Sequence, residues 1–224
     1  MATRVSAIIL AAGRGTRIGA DKNKVFLEIA SRPLLSYTIA AFAGCKEIDE
    51  IVLVVASGEE EAASSLIGSI EKDVQIIRGG MRRQDSSCAG VSAARGEIVL
   101  IHDAARPFVT SDLIMRLIEG TREHGACVPA LPIVDTIRQG TIGSPLEANL
   151  IDRSRLLRMQ TPQGFNRDLI MKALSETGND FTDDAAAVLA CGNLVWTVEG
   201  EETNVKVTTQ EDLALAEIIV AARS

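Results

Sequence analysis

Aromatic residues are nearly missing from this chain of 224 residues: they make up 3%, with one Trp and one Tyr. Hydrophobic residues still reach 46%, so a core of ordinary size must be filled by Ile, Leu, Val and Ala. That composition suits a parallel sheet covered by helices. Histidine is scarcer still: only His102 and His124 occur, and neither has the setting of a catalytic triad. The four cysteines, Cys45, Cys88, Cys127 and Cys191, form no CxxC pair and have no His at metal-ligand spacing. They read as reduced thiols of a cytosolic protein. No apolar run reaches the ~20 residues needed to span a bilayer. Periodic apolar sequence begins by Val5, which leaves no room for a signal or transit peptide. A Pro/Gly/Ser-rich linker, an internal repeat and a low-complexity tract are all lacking. One domain spanning 1–224 and a cytoplasmic location are therefore expected. Positive charge is also short. A net charge of -7 makes duplex nucleic acid a poor partner, because phosphate neutralisation supplies most of that affinity.

What is present is an alternation of short β-branched runs with longer helical patterns. Strands are expected at Val5–Leu10, Ile51–Val55, Val74–Ile77, Ile98–Ile101, Cys127–Leu131 and Leu194–Val198. Helices are expected over Pro33–Ala43, Glu59–Ile70, Asp85–Ala94, Thr110 or Ser111 to His124, Asn166–Ser175, Thr182 to about Cys191, and Thr209–Ala222. This order implies right-handed βαβ units and an α/β, mostly parallel sheet flanked by helices. In such folds ligands bind beyond the carboxyl ends of the strands. Chemistry is therefore sought in Ala11–Lys24, Gly79–Ser86 and His102–Arg106. The stretch from Thr136 to about Arg158 has polar residues, two glycines and Pro145 but no sustained apolar stripe. It reads as a protruding, hairpin-like arm suited to embracing a second subunit.

The loop after the first strand runs Ala11-Ala12-Gly13-Arg14-Gly15-Thr16-Arg17 and on to Lys24. Gly13 and Gly15 let the backbone approach a phosphate and aim N–H groups at it. Four cations against one anion, Asp21, give this loop a local charge of +3. A dinucleotide fingerprint needs glycine where Ile18 stands, and the Gly-Lys-Ser/Thr of a Walker A loop is absent. The loop is a phosphate cradle of another kind, or a tight turn with incidental surface arginines.

The run Leu10-Ala-Ala-Gly-Arg-Gly-Thr-Arg17, followed by Lys24, resembles the signature of nucleotide-diphospho-sugar nucleotidyltransferases, which share a Rossmann-like fold. Many of those carry Pro before the lysine, where this chain has Asn23. Four further stretches are similar, in order and spacing, to the 2-C-methyl-D-erythritol 4-phosphate cytidylyltransferases of the non-mevalonate isoprenoid pathway. They are Gly79-Gly-Met-Arg-Arg-Gln-Asp-Ser86, His102-Asp-Ala-Ala-Arg-Pro107, Thr161-Pro-Gln-Gly-Phe165 and Asn204-Val-Lys-Val-Thr208. The resemblance implies transfer of CMP from CTP to methylerythritol phosphate with release of pyrophosphate, assisted by Mg2+ or another divalent cation. It also implies a homodimer. Under it, Ala11, Ala12, Gly13, Arg14, Gly15 and Thr16 wrap the CTP phosphates, and Arg17 and Lys24 stabilise the α-phosphate. Gly80 and Ser86 meet the cytosine and ribose, Ala104 touches the nucleotide, and Asp103 lies beside the metal and the substrate hydroxyls. Arg106, Thr136, Arg153, Thr161, Thr182 and Lys206 surround methylerythritol phosphate, with Arg153 and Lys206 holding its phosphate in line.

The chemistry agrees with those roles. Two anions must be joined, which calls for positioning and charge stabilisation rather than covalent help. A phosphate dianion is already a nucleophile, so the scarcity of histidine costs nothing. Each residue keeps a plainer second reading. Asp103 could cap the turn after its strand, Arg153 could be arm surface, and Lys206 could protect a strand edge. Thr182 could cap a helix, His102 suits a scaffold, and Trp196 and Tyr37 suit packing. The competing functions are cytidylyl transfer to ribitol 5-phosphate or another polyol phosphate, nucleotidyl transfer to a hexose 1-phosphate, and a non-catalytic nucleotide-binding module.

Overall fold

A computed structural model describes residues 3–13, 23–68, 70–146, 148, 151–176 and 181–223. The strands are β1 (Val5–Leu10), β2 (Glu28–Ile29), β3 (Arg32–Pro33), β4 (Glu50–Val55), β5 (Asp73–Arg78), β6 (Ile98–Asp103), β7 (Ala126–Pro132), β8 (Leu157–Met159), β9 (Gln163–Asn166) and β10 (Trp196–Glu199). The helices are α1 (Leu34–Gly44), α2 (Glu60–Ser64), α3 (Arg83–Ala93), α4 (Ser111–His124), α5 (Arg167–Glu176), α6 (Asp184–Ala190) and α7 (Gln210–Arg223).

The main sheet runs β10-β7-β9-β6-β1-β4-β5, with β8 also paired to β7. From β6 through β1 and β4 to β5 the strands are parallel. Strand β9 pairs antiparallel with both β6 and β7. The central strands are buried on both faces, which is why they read as continuous apolar runs. Their side chains alternate between two cores. Val5, Ala7 and Ile9 of β1 pack with Leu35, Ile39 and Phe42 of α1 and Leu113 and Leu117 of α4. Ile8 packs on the other side with Val91 of α3, Ile170 of α5 and Val188 of α6. The sheet therefore sits between two helix layers, and the carboxyl ends of β1, β4, β5 and β6 open on one edge.

The opposite ends of the same strands are tied by the buried carboxylate of Glu50. It accepts bonds from the Ser6 hydroxyl at 2.5 Å, the Arg95 N–H at 2.6 Å and the Arg95 guanidinium at 2.5 Å. Burial opposes ionisation there, but these donors outweigh it and lower the pKa of Glu50.

Three expectations change. The helix expected over Glu59–Ile70 ends at Ser64. Beyond it the chain makes i→i+3 turns, and the Ser65 hydroxyl donates to the Ala62 carbonyl at 2.7 Å, competing with helix continuation. The described residues of the stretch 136–158 are mostly exposed, as an arm would be, but strand content among them is limited to β8, with a 3-10 turn at Arg153–Arg155. Helix α6 is capped by Asp183, whose carboxylate accepts from the Ala186 N–H at 3.0 Å, and not by Thr182.

The β2–β3 ribbon, absent from the sequence expectation, turns through Ala30 and Ser31 with φ of 48° and 61°. Two-residue turns of this hand favour Asn-Gly, because a Cβ is strained at positive φ. Ser31→Gly is expected to stabilise the protein by about 0.5–1 kcal/mol, and so to raise Tm by roughly 1–4 °C. A thermal melt checks it: an unchanged or lower Tm would mean that the turn is not strained.

Candidate active site

A cavity of about 700 Å3 lies at the carboxyl ends of the parallel strands, within the range of small-molecule sites. Its wall takes Ala12 and Gly13 from the end of β1, Ala56 and Ser57 from β4, Gly79 to Arg83 from β5 and α3, and Asp103 and Ala105 from β6. Strand β1 is also where the order of strands reverses, since β4 and β6 flank it. Among the described residues, Lys24, Arg82, Arg83 and Lys206 face this cavity against a single carboxylate, Asp103. In an acidic chain, that concentration of cations marks an anion site.

Backbone continuity builds the wall. The Ala11 N–H donates to the Val54 carbonyl at 2.7 Å and the Gly79 N–H to the Val55 carbonyl at 2.8 Å, which draws the ends of β1, β4 and β5 together. A Cβ at Gly79 would stand 2.6 Å from the Ser86 hydroxyl and 2.7 Å from the Ala12 methyl, so only glycine fits there. The Gly80 N–H donates to the Ser86 hydroxyl at 3.2 Å. Lys24 is placed by the 3-10 turn Lys24–Phe26, which is capped by Asn23. The Asn23 amide also donates to the Ala11 carbonyl at 2.8 Å and to Glu59 at 3.0 Å. These bonds hold Asn23 against the end of β1, directly before Lys24. The Lys24 ammonium donates to the Val207 carbonyl at 2.9 Å.

Asp103 is the electrostatic centre. One carboxylate oxygen meets Arg83 at 3.3 Å and the other meets Lys206 at 2.6 Å. Burial works against its charge, but Arg83 and Lys206 outweigh that and hold the carboxyl well below its usual range. Arg83 also reaches the buried Asp184 at 2.8 Å. Burial alone would lower the pKa of Arg83, but the two carboxylates raise it instead, so its charge is fixed. The result is a line of alternating charges, Asp184–Arg83–Asp103–Lys206, whose last three members line the cavity while Asp184 is buried behind it.

A family model for IspD, 2-C-methyl-D-erythritol 4-phosphate cytidylyltransferase, matches residues 5–222. The chain belongs to this family. It is 42% identical to the 2-C-methyl-D-erythritol 4-phosphate cytidylyltransferase of Geobacillus kaustophilus, over 97% of each chain. It is 38% identical to that of Alkaliphilus oremlandii, over 99% of this chain and 97% of the relative. The crystal structure of the Thermus thermophilus cytidylyltransferase superposes with a TM-score of 0.80 at 33% identity, covering 96% of this chain and 98% of that one. The 4-diphosphocytidyl-2C-methyl-D-erythritol synthase of Anaerococcus prevotii gives a TM-score of 0.87 at 29% identity, covering 98% and 96%.

Set against the expectations of a cytidylyltransferase, the residues divide into groups. Ala12, Gly13, Lys24, Gly80, Ser86, Asp103 and Lys206 are brought together around the cavity. Arg14, Gly15, Thr16 and Arg17 lie outside the described residues. Ala11 and Ala104 are buried. The Ala104 N–H donates to the Leu10 carbonyl at 3.0 Å and its carbonyl accepts from Thr38 at 2.9 Å, which ties the end of β6 to β1 and α1. Thr136, Arg153 and Thr182 are exposed, and none lines the cavity. Arg153 donates to the Val134 carbonyl at the base of the arm. Sequence reasoning missed Arg83 and Asp184, although Arg83 lies inside the Gly79–Ser86 motif.

Thr161 and Arg106 stand behind the cavity wall. The Asp103 N–H donates to the Thr161 hydroxyl at 3.1 Å, and that hydroxyl donates to His102 Nδ1 at 3.1 Å. His102 Nε2–H then donates to the Arg106 carbonyl at 2.9 Å. The Arg106 guanidinium donates to the Asn204 carbonyl at 2.8 Å, and the Asn204 amide to the Thr161 carbonyl at 2.9 Å. This ring of bonds assigns a neutral His102 with its proton on Nε2. It carries the extended segment bearing Lys206, which follows β10, against the end of β6 that bears Asp103. Burial pushes the pKa of His102 down to about 4 from an ordinary 6.5. Because the folded value is depressed, the unfolded chain takes up the proton first. Stability is full above about pH 6.5 and falls towards pH 4, by roughly 3 kcal/mol over that window. Urea unfolding at pH 7 and pH 4.5 should show the loss, and His102→Gln should flatten this part of the slope. An equal slope in both proteins would remove His102 as its cause.

Proposed function

We propose that this chain transfers CMP from CTP to 2-C-methyl-D-erythritol 4-phosphate, giving 4-diphosphocytidyl-2-C-methyl-D-erythritol and pyrophosphate. The observation that carries this reading is the cation-lined cavity centred on Asp103, in a chain that belongs to the cytidylyltransferase family. Gly80 and Ser86 take the nucleoside end, and the loop from Ala11 to Arg17 takes the triphosphate. Arg17 and Lys24 stabilise the charge that builds on the α-phosphate. Lys206 and Arg153 hold the acceptor phosphate in line for attack, and Asp103, Arg106, Thr136, Thr161 and Thr182 position the rest of the acceptor. Fixed cations lower the repulsion between the two anions and favour the transition state over either ground state.

A divalent cation fits this site in one way only. No group of three metal-ligating side chains occurs among the described residues. Asp103 would be the single side-chain ligand, with the triphosphate and water completing the shell, as Mg2+ tolerates. When bound, the cation neutralises the triphosphate and eases pyrophosphate departure. No helix among the described residues is long and apolar enough to cross a membrane, and the four cysteines are free, in keeping with a cytoplasmic enzyme. The deciding assay is pyrophosphate release from CTP and Mg2+, with methylerythritol phosphate and ribitol 5-phosphate side by side. Release with the first alone supports the assignment. Release with ribitol 5-phosphate alone overturns the acceptor.

The arm supports a homodimer with shared sites. Ile142, Leu146 and Leu157 are exposed along it and Val134 just before it, and Thr136 and Arg153 do not line their own chain's cavity. Mixing Lys24→Ala with Arg153→Ala protein then restores one intact site per heterodimer, or roughly a quarter of wild-type activity after random exchange. No recovery, with exchange verified by mass, would place Arg153 in its own subunit's site.

A further inference from the structure

A second cavity, of about 470 Å3, lies apart from the first between the β2–β3 ribbon, α1, α7 and the segment after β6. Its floor is apolar, with Tyr37 and Phe108 meeting edge to face at a centroid distance of 6.5 Å. Two guanidiniums line it. Arg32 lies 4.7 Å over the Tyr37 ring and Arg223 lies 5.4 Å over the Phe108 ring. Stacking uses the face of a guanidinium and leaves its N–H edges for a ligand. Arg223 spends edge donors on the Phe108 carbonyl at 3.4 Å and the Thr203 hydroxyl at 3.2 Å. Among the described residues, the Arg32 side chain has no hydrogen bond and neither arginine has an ion pair.

That pairing is unusual for this chain. Acidic residues outnumber basic ones 30 to 23, and most described arginines meet a carboxylate. The exceptions are Arg106 behind the catalytic cavity, Arg138, Arg153 and Arg155 on the arm, and these two. A second observation falls on the same rim. Ala30, which lines the cavity, holds a positive φ of 48° where glycine or asparagine would be relaxed. Strained backbone persists where the surroundings hold it, and it gathers at ligand sites.

We propose that this cavity binds a small amphiphilic anion. An aromatic or branched apolar body lies on Tyr37 and Phe108, and a carboxylate or phosphate head sits between Arg32 and Arg223. Guanidinium edges suit both head groups, and each gains from charge-assisted bonds. The site stands at the far end of the segment that begins with Asp103, but its binding is separate from catalysis and does not depend on the acceptor assignment.

The test is calorimetric titration of the full chain, with CTP present, using 2-naphthoate and 2-naphthyl phosphate, with neutral 2-naphthamide as control. Both anions are expected to bind, and Arg32→Ala/Arg223→Ala should weaken them by about tenfold or more while leaving 2-naphthamide unchanged. The relative strength of the two anions identifies the preferred head group. Ala41→Leu, which fills the cavity from α1 and keeps both arginines, should weaken all three probes. Equal binding of the anions to the wild type and the double variant would overturn the proposal, because they would then sit in the catalytic cavity or elsewhere. So would an absence of binding to the wild type. Circular dichroism melts of both variants exclude loss of fold as the cause.

Discussion

Replacing Lys24 by Ala is expected to lower pyrophosphate release by about a thousandfold or more while leaving the fold intact. The ammonium faces the cavity from a short 3-10 turn and donates to the Val207 carbonyl at 2.9 Å. Such a bond contributes only about 1 kcal/mol to stability, so Tm should fall by no more than a few degrees. The worth of the cation in turnover is far larger. A fixed charge aimed at charge that develops in the transition state typically supplies two to five orders of magnitude in rate. Because the bond with Val207 already orients the side chain, little reorganisation is needed when the triphosphate arrives. Lys24→Arg keeps the charge but spreads it over a planar fork, and should recover only part of the rate. Single-turnover kinetics at saturating CTP separate the rate from binding. Lys24→Ala activity within tenfold of wild type would remove Lys24 from the transition state.

The sheet was legible in the sequence because its central strands are buried on both faces. Val5–Leu10, Glu50–Val55 and Ile98–Asp103 leave almost no polar side chain for water, so a continuous apolar run marks each. Strand β9 left no such trace. It reads Gln-Gly-Phe-Asn, and its glycine is required because a Cβ at Gly164 would stand 2.2 Å from the Thr121 hydroxyl on α4. A close crossing replaced hydrophobic patterning as the reason for the residue. The short α6 was legible, but its cap was misplaced by one residue, since Thr182 and Asp183 are both good capping types and only the backbone shows which one faces Ala186.

In the site, the residues visible in advance were those that follow strands directly. Arg83 and Asp184 were not, because each gains meaning only from the other. Asp184 is a buried carboxylate on a helix remote in sequence, and nothing local to it signals an arginine partner. Thr161 and Arg106 were anticipated as acceptor contacts. Here their bonds run to Asp103, His102 and Asn204, so they also act as supports for the wall. The roles of Arg14 to Arg17 rest on sequence alone.

Asp103→Asn is expected to separate nucleotide binding from turnover. The carboxylate stands between Arg83 and Lys206, so removing its charge leaves both cations facing an anionic ligand without a competitor. Affinity for CTP in the absence of divalent cation should stay the same or rise. Turnover should fall by about a thousandfold, because the two cations lose the shared partner that spaces them and the acceptor loses its alignment. Arg83 keeps Asp184 at 2.8 Å, so it is not left as an unpaired buried charge. The cost in stability should then stay near ~1–3 kcal/mol rather than reach the ~3–5 kcal/mol of a fully broken buried pair. Calorimetry with CTP in EDTA and a pyrophosphate assay with Mg2+ give the two readings. If CTP affinity without metal falls in step with turnover, Asp103 holds the nucleotide itself. In that case the alternating line from Asp184 to Lys206 is a binding device and not an alignment device.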